Sequence, residues 1–247
     1  MLLHRALSSI KMQGNDRVNV ITVSDVKDTA TYLVANNLLG DNDIFLEQTC
    51  GAGPAVSRNI GLALANAPYV MFLDDDDSFA AGSLDALIPQ IANSPDIYYC
   101  DFKVINEHRL IVGTQLIDSF DVTLGLITAE DISVKNIIPN NCLIYPRSMI
   151  GNRRFDDALI LYEDWDFVLN VLDSNQVNLR YLPLKGLNIH KNDRTLGERR
   201  GARNDDKLVE TILRIYQKWP GKTLNIKQMR QAYLAGGSGI NLPIELF

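Results

Sequence analysis

Apolar positions along this chain follow two alternating rhythms. Leu3, Leu7 and Ile10 recur at helical spacing and predict an opening helix, after which "VNVITVSD" reads as a buried strand ending at Asp25. "TATYLVANNLL" predicts a helix, "DIFLEQ" a short strand, and "GPAVSRNIGLALANA" a helix with Val56, Ile60 and Leu64 on one stripe. The apolar run of residues 68 to 73 predicts another strand, and Leu84, Leu87, Ile88 and Ile91 the helix after it. Further on, "NNCLIYP" is strand-like and "LYEDWDFVLNVLDS" a helix striped by Trp165, Val168, Leu169 and Leu172. Residues 175 to 190 read as strands, the polar "KNDRTLGERRGARNDD" as a loop, and a terminal helix turns Leu208, Ile212, Ile215 and Trp219 inward. Strands alternating with helices of about ten residues predict an α/β sandwich with a mainly parallel sheet.

The strand of residues 68 to 73 runs straight into four aspartates, Asp74 to Asp77. Adjacent carboxylates repel, and more so beside a low-dielectric interior than in open water. The run reads either as a solvated, helix-capping loop or as a site for a cation, alone or carrying a polyphosphate. Ligands of such sheets bind beyond the carboxyl ends of the strands, where both Asp25 and the aspartate run are expected. Glu163, Asp164 and Asp166 fall in the first turn of their helix. Acids there favour the helix dipole by about 0.3–1 kcal/mol each, so a purely structural reading stands beside a chemical one.

Composition narrows the choice. A length of 247 residues suits one domain, or one with a modest appendage. A net charge of -6 argues against a general nucleic-acid binder. The balance is uneven: residues 180 to 230 hold 13 of the 24 Lys and Arg, which suggests an anionic partner such as a diphosphate or a membrane surface, or simply a solvated basic helix face. No apolar run approaches a membrane span and no signal peptide is evident, so the expected setting is cytoplasmic, with peripheral contact at the inner face of the membrane allowed. Cys50, Cys100 and Cys142 are expected to be reduced and buried.

Three stretches carry a resemblance. "GPAVSRNIGLALANAPYVMFLDDDDSF" is similar to the Arg-Asn helix, strand and Asp-x-Asp motif of family 2 glycosyltransferases. "NNCLIYPRSMIGNRRFDDALILYEDWDFVLNVL" resembles that family's later segment leading through Phe-Asp to Glu-Asp-Trp-Asp, and "VNVITVSD" its second strand. The resemblance implies a GT-A, Rossmann-like three-layer fold over residues 1 to 200, with residues 201 to 247 a helical extension packed on or beside it. It implies a metal-dependent inverting transfer of a sugar from a nucleotide-diphosphate donor, a UDP-sugar for preference, to the hydroxyl of a saccharide or lipid-linked saccharide, in polysaccharide or glycoconjugate synthesis.

Carried over by residue, Asp25 binds the nucleotide base. Asp74 faces the ribose or metal-bound water, Asp76 ligates Mn²⁺ or Mg²⁺, and Asp75 shares either role, while Asp77 is left to structure or solvent. Arg58 pairs with the aspartate loop or the donor phosphates, its alternative being an exposed helical arginine. Asp164 is the base that takes the acceptor proton. Glu163 orients the loop, and Trp165 offers a sugar an apolar wall as well as anchoring the helix. Asn141 is an acceptor contact or a turn residue, and His190 touches metal or diphosphate or is an ordinary polar histidine. Soft metals are disfavoured, since the chain has three histidines and no paired thiols.

The family's opening strand lies between the strand ending at Asp25 and the one ending at Asp74, whereas this sequence opens at the helix that follows it. The expectation is a gap or a substitute strand beside residues 18 to 24, with edges that admit a homo-oligomer. A sugar-nucleotide pyrophosphorylase is disfavoured because no Gly-rich N-terminal phosphate loop is present. A noncatalytic sugar-nucleotide-binding or assembly module is the remaining alternative.

Overall fold

A computed structural model describes residues 2–14, 16–91, 94–173, 178–193 and 206–247. Residues 194 to 205 of the predicted polar loop lie outside the described residues. The first half runs α1 (Leu2–Lys11), β1 (Ile21–Ser24), α2 (Thr29–Leu38), β2 (Ile44–Glu47), α3 (Pro54–Leu64), β3 (Tyr69–Met71), β4 (Ser78–Phe79) and α4 (Ser83–Leu87). The second runs β5 (Ile97–Arg109), β6 (Thr114–Val122), α5 (Ala129–Val134), β7 (Leu143–Pro146), α6 (Arg147–Ile150), α7 (Glu163–Asp173), β8 (Leu179–Asn192), α8 (Asp206–Lys218) and α9 (Leu224–Ser238).

Local chemistry explains the elements nearest the site. Gly53, with φ of 87°, turns the chain into α3, and Pro54 supplies the fixed φ that suits the first helical position. Asp28 caps α2 by accepting the Thr31 N–H at 2.7 Å. β5 is buried on both faces from Ile97 to Phe102, as a central strand should be. β8 runs parallel to it, and at Gly186 the two strands come so close that a Cβ would collide with the Cys100 sulfur.

The α/β expectation holds, but the sheet is mixed rather than mainly parallel. The six-stranded sheet has the order β3-β7-β5-β8-β4, with β6 on the free stretch of β5. β3, β5 and β8 point the same way, yet β7 runs backwards between β3 and β5, which makes both of those pairings antiparallel. β1 and β2 form a separate parallel pair. Among the described residues no strand joins β1 to β3, so the sheet divides beside residues 21–24, where the sequence predicts a gap or a substitute.

One continuous core underlies the larger sheet and takes in the C-terminal helices through Ile212, Ile215, Tyr216 and Leu234, together with Phe247 beyond them. Buried Arg230 of α9 lies over the Tyr216 ring at 4.3 Å and donates to the carbonyls of Ser133 and Trp219 at 2.9 and 2.7 Å. Cys100 and Cys142 are buried free thiols, whereas Cys50 is exposed, because it lies in the polar loop beyond β2.

Candidate active site

The aspartate run forms the turn between β3 and β4, closed by the Asp77 N–H donating to the Asp74 carbonyl at 3.1 Å. Carboxylate oxygens of Asp74, Asp76 and Asp77 come within 4.8 Å of one another. The protein offsets the repulsion with groups of its own. Arg58 donates to Asp74 at 2.9 Å, Arg109 donates to Asp76 at 3.0 Å, and Asp77 accepts from the His190 backbone N–H at 2.8 Å and from the Asn141 amide. Asp77 is buried, and burial, aided by the Asp76 and Asp74 charges, pushes its pKa up to about 8. Burial and the same two neighbours also raise Asp75.

Arg58 does more than meet one charge. Its other terminal nitrogen donates to Glu163 at 2.8 Å, so a single guanidinium joins the aspartate turn to the first residue of α7. Burial works against its charge, but Asp74 and Glu163 outweigh that and raise its pKa. The guanidinium lies 5.5 Å from the centre of the Phe155 ring, and Phe155 stacks on Phe167 of α7 at 4.0 Å. Asn59 grips the Phe155 backbone from both sides, accepting its N–H at 2.8 Å and donating to its carbonyl at 2.9 Å. The Arg-Asn pair on α3 therefore registers the turn, Phe155 and α7 against one another.

Asp164 follows Glu163 at the start of α7. Burial and the neighbouring Glu163 charge raise its pKa. Its Oδ1 accepts the Trp165 N–H at 2.8 Å, and the Asn136 amide donates to both of its oxygens at 3.3 Å. Tyr162, just before this pair, has φ of 60°, in the left-handed region that non-glycine residues rarely occupy. Such strain tends to collect at functional sites. Asp166 points elsewhere: buried, it accepts from Lys218 at 2.9 Å and from the Trp219 indole at 2.8 Å, tying α7 to α8.

The remaining expected site residues are placed unevenly. Trp165 is 1% exposed and donates to the Ile132 carbonyl at 2.7 Å, so it anchors α7 and has no face to offer a sugar. Asn141 is buried beneath the turn, holding Asp77. Asp25 stands at the end of β1 and accepts the backbone N–H groups of Ala52 and Gly53 at 2.8 and 3.1 Å. His190 lines the cleft, but both ring nitrogens have protein partners, Ser78 at 3.0 Å and Glu107 at 3.2 Å. Burial and nearby Arg5 lower its pKa.

A cleft of about 300 Å³ opens over the turn, lined by Asp74, Asp76, Asp77, Arg109 and residues 189 to 192 of β8. Arg109, Glu107 and Arg5 were not legible as site residues in the sequence. The available signal was weak: Glu107 and Arg109 are two apart on β5 and so share a face.

The sequence model described as glycosyl transferase family 2 matches residues 2–155. GalNAc(5)-diNAcBac-PP-undecaprenol beta-1,3-glucosyltransferase of Campylobacter jejuni is 36% identical over 91 residues, 36% of this chain and 29% of that protein. Teichoic acid poly(glycerol phosphate) polymerase of Staphylococcus epidermidis is 27% identical over 175 residues, 67% of this chain and 23% of that protein. This chain therefore spans less than a third of the length of either relative. TarS of S. aureus matches in structure with a TM-score of 0.65 at 17% identity, over 94% of this chain and 40% of that one. TarS residues 1–349 in complex with UDP-GlcNAc give a TM-score of 0.64, over 96% and 69%. At that identity the likeness is one of fold, the GT-A arrangement.

Proposed function

The chain belongs to glycosyl transferase family 2, and from that premise we propose that it moves a sugar from a nucleoside-diphosphate donor to an acceptor hydroxyl, with inversion at the anomeric carbon. The observation that supports this reading is the two-ended ion pair of Arg58, which joins Asp74 of the aspartate turn to Glu163, the neighbour of Asp164 at the start of α7.

The carboxylates of Asp74 and Asp76, which converge with Asp77 in the turn, offer hard oxygen ligands, which suit Mg²⁺ or Mn²⁺. Asp74 and Asp76 would hold the cation, while buried Asp77 belongs to the scaffold. When bound, the cation supplies positive charge to the departing diphosphate. The chain's own residues do the rest. Asp164 takes the acceptor proton as the acceptor oxygen bonds to the anomeric carbon, and its raised pKa makes it a stronger base than an ordinary aspartate. Asn136 and the Trp165 N–H fix the direction of that carboxylate. Glu163, held by Arg58, keeps α7 in register with the donor side. Asp25, fastened to the loop after β2, is assigned to the nucleotide base.

The donor in this reading is a UDP-sugar, supported by a fold neighbour captured with UDP and with UDP-GlcNAc. The acceptor is a saccharide or lipid-linked saccharide in polysaccharide or glycoconjugate synthesis, supported by the PP-undecaprenol in the name of the Campylobacter relative. No helix among the described residues is long and apolar enough to cross a membrane, and the proposed contact with the inner face is peripheral.

Calorimetry tests the metal assignment. UDP binding is expected to strengthen when Mn²⁺ is added, and Asp76→Ala to abolish the strengthening. Equal UDP binding in Mn²⁺ and in chelator would remove the cation from the site. The division of the sheet between β1 and β3 favours a second reading, a noncatalytic sugar-nucleotide-binding module, which shares the binding result and differs in turnover.

A further inference from the structure

The carboxylate assigned to the cation already faces a cation of the protein. Arg109, the last residue of β5, donates through Nη2 to Asp76 Oδ2 at 3.0 Å and to the His190 carbonyl at 3.3 Å. Its Nε donates to Glu107 at 3.0 Å. Glu107 is 2% exposed, and its other oxygen accepts from Arg5 at 2.8 Å and lies 3.2 Å from His190 Nδ1. Arg5 also donates to the Asp76 carbonyl. A buried carboxylate thus anchors a guanidinium against Asp76 of the aspartate turn, inside the same cleft.

A divalent cation and Arg109 compete for Asp76, because serving both would press two positive groups together. We infer that Arg109 is the resident counter-cation of the aspartate turn, displaced from Asp76 when metal and donor load and transferred to the donor's diphosphate. The guanidinium fork matches phosphate oxygens as well as it matches a carboxylate, and Arg109 lines the cleft where that diphosphate would lie. Its position therefore couples the two ligands: metal alone must expel Arg109 without giving it a new partner, whereas metal with a diphosphate supplies one. This inference rests on the metal reading of Asp74 and Asp76.

The test is Mn²⁺ binding followed by electron paramagnetic resonance, with and without UDP, in the full chain. Arg109→Gln keeps hydrogen-bonding capacity and removes the charge. It is expected to bind Mn²⁺ alone about 3–10-fold more tightly than the unaltered chain, a modest factor because both partners are part-exposed. The strengthening of Mn²⁺ binding by UDP falls by a similar factor. Arg109→Lys keeps a charge for Glu107 but loses the fork, shows the same changes at smaller size, and serves if the Gln variant is poorly folded. Mn²⁺ binding no tighter in either variant, with Asp76→Ala still abolishing it, overturns the inference and leaves the metal reading standing. Absence of Mn²⁺ binding to the unaltered chain even with UDP overturns both.

Discussion

Replacing Asp164 with Asn is expected to lower sugar transfer by about 10²–10⁴-fold, the usual contribution of a positioned base. The amide keeps the size of the carboxylate and still accepts from the Trp165 N–H, so α7 should stay in place. Metal-dependent UDP binding should be unchanged, because Asp164 is assigned to the acceptor side. The pH profile gives a second readout with a definite sign. A base must be deprotonated, and burial raises the pKa of Asp164, so the acid limb of kcat/KM should lie above the ordinary aspartate range. The same change at Asp166 provides the contrast. It weakens the tie to Lys218 and Trp219, lowers stability by about 1–2 kcal/mol, and leaves turnover per folded molecule intact. Normal transfer by Asp164→Asn would send the proton elsewhere, with Glu163 the next candidate.

Arg58→Met is expected to be damaging twice over. The side chain is largely buried between Asp74 and Glu163, and its removal leaves two carboxylates facing one another without a cation. Removing one partner of a buried ion pair costs about 3–5 kcal/mol, and the exposed side of Asp74 places this case near 3 kcal/mol or below. Donor binding should weaken as the turn loses its register with α7. Arg58→Lys recovers only part of either loss, because a single ammonium cannot reproduce the fork that spans both carboxylates. Thermal unfolding and UDP calorimetry on the two variants read these effects separately. A Met variant with unaltered melting and binding would mean that the bridge carries no energy.

Some of this architecture could be read from the sequence, and the reasons differ by element. The helical stripes of α1, α7 and α8 were legible because those residues pack toward the core, and that periodicity is written in the residue order. On α3 the helix was legible but its inward face was not: Ala55 and Leu62 are the buried residues, while Leu64 of the expected stripe is exposed. The aspartate turn was legible because four like charges after an apolar run need an explanation. Strand direction was not: the apolar run of β7, buried on both faces, marks a strand and says nothing about which way it runs between β3 and β5. β6 was missed for a different reason. All of its residues but Val122 are exposed, so no one-sided alternation marks it as a strand. Trp165 shows how a motif residue can mislead, since an aromatic side chain beside two acids suggests a sugar wall, yet packing against Ile132, Tyr162 and Tyr216 consumes it entirely. Arg109 escaped because its partner Asp76 lies on another strand connection, and pairing across a fold leaves no local spacing to detect.

In the proposed mechanism the aspartate turn and the Glu163-Asp164 pair form one catalytic site. Its most direct test is the release of UDP from UDP-sugars, followed with Mn²⁺ and with chelator, in the unaltered chain, Asp76→Asn and Asp164→Asn. The expected result is Mn²⁺-dependent release that is lost in chelator and sharply reduced in both variants, with UDP binding kept in Asp164→Asn. Release at the same rate in chelator, or tight Mn²⁺-dependent binding with no release from any UDP-sugar supplied with saccharide acceptors, would contradict it.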